Sequence, residues 1–257
     1  ASLAGASIAL EPGRVGLENA EGVLRVSLPR EGAPGWLVAE AFAADSSLDG
    51  VAAGRWSLDG RVELLAGDAG DAGADGQGSA ASAMRAGALD VRVGVRDADL
   101  GSGLVRSAMQ TFAPAAAVAL LPRNPVGGFD LDLAATRAGV DDDAAYEGEF
   151  RPRSLALDLR GQRIAFDSVS GAVFFDAAGG QAESVRGAGP DFGVAGDASW
   201  AWTGQGQTLV EATFSADAAG LSPRVLALLP AELVAGFEEI GLAVAGPVSV
   251  LEATISA

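Results

Sequence analysis

LDVRVGVR, residues 89–96, alternates apolar and polar side chains. Leu89, Val91, Val93 and Val95 fall on one side of an extended chain and Asp90, Arg92 and Arg96 on the other, because successive side chains of a strand point to opposite faces. The pattern spreads outward in both directions. Leu155, Leu157 and Leu159 stand against Asp158 and Arg160, and after Gly161-Gln162, read as a two-residue turn, Ile164 and Phe166 continue the row. Phe192, Val194, Ala198, Trp200 and Trp202 form a further row, and Gly204-Gln205-Gly206 turns into Val210, Ala212 and Phe214. Phe129, Leu131 and Leu133 flank Asp130 and Asp132, while Leu24, Val26 and Leu28, then Trp56, Leu58, Val62 and Leu64, repeat the alternation near the start. One apolar and one polar face per strand is the mark of an antiparallel sheet rather than a parallel sheet buried on both sides.

Helical signals are few. Ser222-Pro223 followed by Val225, Leu226, Leu228 and Leu229 reads as an N-cap, a proline at the first helical position and an apolar stripe. Pro230 restarts a second short helix through Leu233, Val234, Phe237 and Ile240, with Gly241 suited to its C-terminus. Short helices are thus expected near 103–121 and 223–240. The two regions share an order of strand, aspartates (Asp97 and Asp99; Asp217), apolar helix, proline (Pro114; Pro230), glycine (Gly127; Gly246) and strand, offset by roughly 117 residues, as in duplicated modules. Residues 67–87, rich in Gly, Ala, Asp and Ser, have little to bury and read as an exposed loop. The expected organisation is a β-sheet part over 1–80 that ends in this loop, then a β module over 88–257.

The chain of 257 residues carries 34 acidic residues against 17 basic ones, all arginine, for a net charge of −17. Such a field repels phosphate backbones and anionic lipid surfaces, so nucleic acid is not an expected partner. Without cysteine there is neither a disulfide framework nor a thiolate metal site. No run of 18 apolar residues spans a membrane as a helix. The first residue is Ala1, with no signal-peptide pattern, and the chain ends in a strand, which reads as a piece of a longer protein.

Chemistry is scarce. With no His, Cys or Lys, the Ser-His-Asp, Cys-His and Ser-Lys arrangements and the P-loop lysine are all missing. Paired carboxylates remain, but the acidic residues mostly alternate outward on strands, where solvation accounts for them. Asp141-Asp142-Asp143 and the series Asp68, Asp71, Asp75 lack the spacing of a calcium loop. No catalytic residue, metal or cofactor is expected, and the chain does not read as an enzyme.

FDSVSGAVFFDAAGGQAESVRGAGPDFGVAGDASWAW, residues 166–202, resembles the AsmA-like proteins of bacterial envelopes, relatives of TamB. The likeness rests on a phrase carried here by Gly171, Val173 and Phe175, then Val194 and Gly196. The run LSPRVLALLPAELVAGFEEIGLAVAGPVSV, residues 221–250, resembles the segments between that family's sheet modules. The resemblance implies a curved, highly twisted antiparallel sheet that forms an open groove with an apolar interior. It also implies a periplasmic location, with the protein anchored to the inner membrane by an N-terminal helix that this sequence lacks. Inner- and outer-membrane components would be engaged through other parts of the parent chain. The implied function is non-enzymatic: holding phospholipid acyl chains for transport between membranes or for outer-membrane homeostasis. The groove candidates are Leu155, Leu157, Ile164, Phe166, Val173, Phe175, Phe192, Val194, Trp200, Val210 and Phe214. The competing expectation is a structural or adhesive β-repeat or sandwich module of a surface or secreted protein, in which two apolar faces fill each other.

Overall fold

The computed structural model describes residues 2–10, 15–30, 33–48, 51–66, 84–103, 123–202, 208–228, 234–236, 239 and 246–256. Strands dominate. In chain order they are β1 Ser2–Leu10, β2 Val15–Ser27, β3 Gly35–Leu48, β4 Val51–Ala66, β5 Met84–Asp99, β6 Arg123–Val126, β7 Gly128–Arg137 and β8 Ala145–Pro152. After these come β9 Leu155–Leu159, β10 Gln162–Phe166, β11 Ser168–Asp176, β12 Gly179–Ala188, β13 Phe192–Trp202, β14 Thr208–Ala218 and β15 Val248–Ser256. Twelve strands form one sheet in the order β1-β2-β3-β4-β5-β7-β8-β11-β12-β13-β14-β15, and β10-β9-β6 form a second, small one. The long order begins at β1 and finishes at β15 instead of closing on itself, so the chain is mainly β with an open antiparallel sheet.

The helix α1, Pro223–Leu228, starts as its sequence requires. Ser222 Oγ accepts the Val225 N–H at 3.3 Å and Ser222 O accepts the Leu226 N–H at 2.9 Å, which satisfies two N-terminal donors. Residues 234–236 and 239 are also helical. The helix expected near 103–121 lies, apart from residue 103, outside the described residues, as do 67–83 of the glycine-rich loop and the 204–206 turn. Residues 84–87, expected as the end of that loop, instead open β5.

The turn between β9 and β10 differs from its reading by one residue. Gln162 pairs with Leu159, so the two central residues are Arg160 and Gly161, with φ of 47° and 76°. Positive φ at both positions matches the twist of a tight hairpin, which places the turn one step earlier than Gly161-Gln162.

Contacts divide the chain into two compact units, Ala1–Arg96 with Leu131–Gly148, and Asp97–Asp130 with Glu149–Ala257. In the first, Ala20, Ala39, Phe42 and Ala44 form a buried cluster against Leu17, Leu24 and Leu58. In the second, Ile164, Phe192, Ala218, Val225 and Ala227 do so against Leu159, Phe166, Val194, Leu221 and Leu228.

Both units bend their strands by the same device. Between Ala39 and Phe42, β3 slips by one residue against β4, and Ala41 takes a φ of 45°. Its N–H donates to Asp59 Oδ2 on β4 at 2.9 Å, and Gly22 on β2 lies against it, where a Cβ would stand 2.3 Å from Ala41 O. In the second unit β12 slips between Ala182 and Val185, and Ser184 has a φ of 49°. Its N–H donates to Asp197 Oδ1 on β13 at 2.7 Å, and Gly171 on β11 lies against it, its Cβ position 2.7 Å from Val185 Cα. The residue before each is glutamate, Glu40 or Glu183. Asp97 shares the positive φ, at 54°, and its backbone N–H likewise donates to a carboxylate, Asp130 Oδ1 at 3.0 Å. An extra residue leaves an N–H without its ladder partner and increases local twist; here a carboxylate of the next strand takes that N–H.

Candidate functional site

Register places the site, because directly paired residues of an antiparallel ladder share a face. Phe175 pairs with Gly180, Gly180 with Trp200, and Trp200 with Val210. The next row runs through Val173, Ala182, Ala198 and Ala212. After the bulge come Val185, Gly196 and Phe214, then Val169, Gly187, Val194 and Ala216. Trp202 extends the face two residues beyond Trp200, the two indoles meeting edge to face with centroids 6.4 Å apart. These positions carry only Val, Ala, Gly, Phe and Trp. The reverse face of the same strands presents Gln181, Glu183, Arg186, Asp197, Ser199, Glu211, Thr213 and Asp217, all exposed. A shallow depression on that polar side is lined by Ser184, Arg186, Asp197, Thr213 and Ser215 among others.

The apolar face has two zones. At one end it is covered by the chain itself. Phe166 meets Phe192 edge to face at 5.1 Å, and its ring lies on Gly187, where a Cβ would stand 2.6 Å from Cδ1. Ile164 is 0% and Phe192 6% exposed, with Val225 and Ala227 of α1 in the same cluster. Toward the other end Val173, Phe175, Ala182, Ala198, Trp200, Trp202, Val210, Ala212 and Phe214 are half-buried.

The eleven candidates therefore separate. Leu155, Leu157, Ile164 and Phe166 belong to the small sheet, where Ile164 pairs with Leu157 and Phe166 with Leu155. Phe192 and Val194 lie beneath that cover. Val173, Phe175, Trp200, Val210 and Phe214 share the half-exposed zone. Ala182, Ala198, Ala212 and Val185 complete that zone and were not among the sequence candidates. Period-two counting already sets Ala198 and Ala212 in their rows; the signal for Ala182 and Val185 is register through the hairpins, which counting along one strand does not supply.

Small residues shape the surface. A Cβ at Gly180 would stand 2.3 Å from Cζ2 of Trp200, so the indole lies across the bare backbone of β12. Asp191 Oδ1 and Trp200 Nε1 are the buried side-chain atoms without a hydrogen-bond partner among the described residues. The other Asp191 oxygen accepts from Ser222 Oγ at 3.2 Å, which ties the β12–β13 turn to the start of α1.

Electrostatics belong to the polar faces. Arg25 pairs with Glu40 at 2.6 Å, Arg96 with Asp132 at 2.6 Å, and Arg153 with both Asp97 at 2.5 Å and Asp130 at 3.2 Å. Arg55 pairs with Glu21 and, at 3.1 Å, with Asp45. Hydrogen bonds from Asn19 and Arg55 hold the Asp45 carboxyl below its ordinary value of 3.8, and the same Asp45 contact raises the Arg55 guanidinium. Exposed pairs of this kind contribute about 0–1 kcal/mol each. Among the described residues no cluster of three acidic side chains is arranged to hold a metal ion, and no described helix is long and apolar enough to cross a membrane.

Compared with known protein families, with characterised proteins and with solved structures, the chain matches none.

Proposed function

We propose that this chain binds phospholipid acyl chains along the apolar face of β11–β14, as a non-enzymatic segment of an AsmA-like envelope protein engaged in lipid transport between membranes or in outer-membrane homeostasis. In this reading the protein works in the bacterial periplasm, held to the inner membrane by a helix outside this sequence. The single observation that carries the proposal is the half-exposed zone. Its rows contain no charged side chain across four strands, and their apolar side chains stay only partly buried. An apolar face needs a second sheet, a helix or a ligand. Covering it with hydrocarbon stabilises by about 25 cal/mol per Å², or about 0.8 kcal/mol per methylene. The alanines and glycines of the central rows leave room for chains to lie close to the backbone.

A second reading, a structural or adhesive β module, draws on the covered end. There the small sheet and α1 fill the apolar face as a packed core does, and the same filling by a neighbouring sheet would complete the rest.

Photo-crosslinking separates the two. A benzophenone amino acid at Phe175 or Val210 is expected to form phospholipid adducts in cells, and one at Phe174 or Ser199, on the reverse face, is not. Purified protein should carry phospholipid detectable by native mass spectrometry. Adducts from neither face, with no lipid on the purified protein, would sink the lipid reading.

A further inference from the structure

We infer that Trp200 is the polar contact of this face: its indole N–H donates to an acyl ester carbonyl of a bound glycerolipid whose hydrocarbon runs along the rows toward Phe192. The inference rests on the lipid reading above and deepens it. Nε1 of Trp200 is shut off from water and has no acceptor among the described residues, whereas Trp56 Nε1 donates to Ala53 O at 3.1 Å. Buried indole N–H groups ordinarily find a partner, so an orphan on an otherwise apolar surface marks a place where the partner arrives with a ligand. That ligand must be apolar enough to lie on Val173, Ala182, Ala198 and Ala212, and must bring an acceptor to the Trp200 end. A neutral ester carbonyl fits both demands. A free fatty acid would bring a full charge onto an apolar surface of a chain already at −17, which is far less favourable than a neutral carbonyl.

The ring's seat explains how the donor is stored and released. Cζ2 and Cε2 are the indole atoms nearest the Cβ position of Gly180, at 2.3 and 2.8 Å, so the N–H edge is turned down onto β12. Rotation about χ2, a broad torsion for aromatic side chains, lifts that edge to the open side, and glycine at 180 leaves the space for it. Trp200 then sets the direction of the ligand, with the ester at the tryptophan pair and the chain ends toward the covered zone at Ile164.

The test compares ligands that differ only in the acceptor. Full chain labelled with nitrogen-15 at the indoles is titrated with a short-chain diacyl phosphatidylcholine and with its dialkyl ether analogue. The diester is expected to bind about fivefold tighter, about 1 kcal/mol. One indole N–H resonance moves downfield with the diester and not with the diether. Trp200→Phe keeps a ring on the face and is expected to erase the preference for the diester over the diether. Equal affinities in the unmutated protein, or a preference that survives in Trp200→Phe, overturn the role of Trp200 and leave the lipid reading standing. If neither lipid binds, the lipid reading fails and the inference fails with it.

Discussion

The backbone N–H of Ser184 donates to Asp197 Oδ1 at 2.7 Å across the β12–β13 ladder, while Ser184 itself holds a φ of 49°. Ala41 and Asp59 repeat the relationship at 2.9 Å, and Asp97 and Asp130 at 3.0 Å. Each of these positive-φ residues thus consumes a carboxylate that would otherwise read as mere surface charge. Replacing Asp197 or Asp59 by alanine is expected to lower stability by about 0.5–1.5 kcal/mol, the net value of a hydrogen bond whose donor water can still reach. Asparagine keeps an acceptor oxygen and should retain much of it. Urea unfolding measures the difference, and equal losses for alanine and asparagine would show that the bond contributes nothing.

The backbone at these bulges makes a second, opposite prediction. A left-handed φ costs a non-glycine residue about 1–2 kcal/mol, and glycine's extra chain entropy returns about 0.5–1 of it. Ser184→Gly and Ala41→Gly should therefore stabilise by about 0.5–1 kcal/mol. Gly171→Ala should destabilise by about 1–3 kcal/mol, since its Cβ would stand 2.7 Å from Val185 Cα with φ at 113°. Thermal midpoints of the three variants moving in the same direction would refute the assignment of strain to the bulge residues.

Strand and face were open to reading at Leu89, Val91, Val93 and Val95 because a strand with one solvated face must alternate. The same rule fails where a bulge resets the phase. Counting by two from Ala182 puts Ser184 on the apolar side, whereas the slip turns it outward and brings Val185 in. Ala41, Asp97 and Ser184 adopt a backbone region usual for glycine, so their side chains give no local notice of it. The capping carboxylates come from another strand, beyond the reach of any local pattern. The site was half legible for a related reason. Leu155, Leu157, Ile164 and Phe166 alternate like Val173 and Phe175, yet the Arg160-Gly161 hairpin folds them into a separate sheet. Periodicity names the apolar face of each strand and is silent about which sheet the strand joins.

Asp45 sets a pH dependence. Bonds from Asn19 at 2.7 Å and Arg55 at 3.1 Å hold its carboxyl below the ordinary value of 3.8. A group with a depressed folded value binds its proton more readily when unfolded. Its contribution is therefore complete above the unfolded value and is lost as pH falls through the lower folded one. The stability gap between the native chain and Asp45→Asn should hold constant from about pH 5 to 8 and narrow below about pH 4. Because the pair is exposed, the gap should also shrink in high salt. A gap unchanged down to about pH 2 would show that Asp45 is not held this way.

Ile164 carries the last prediction. It is fully buried at the point where the small sheet and α1 meet Phe192 and Ala218. Truncation removes buried methyl and methylene groups and leaves a cavity that strands β9 and β10 must collapse around, which costs about 2–5 kcal/mol. The cluster lies within the second unit, so the loss should be local before it is global. In Ile164→Ala, amide hydrogen exchange is expected to speed up in β9, β10 and α1, while β2 to β4 around Phe42 keep their protection. Uncovering Phe192 and Val194 also lengthens the exposed apolar zone, so the variant should bind more of a dye such as ANS than the native chain does. Unchanged dye binding with uniformly faster exchange would mean that the small sheet and α1 are not what covers that end of the face.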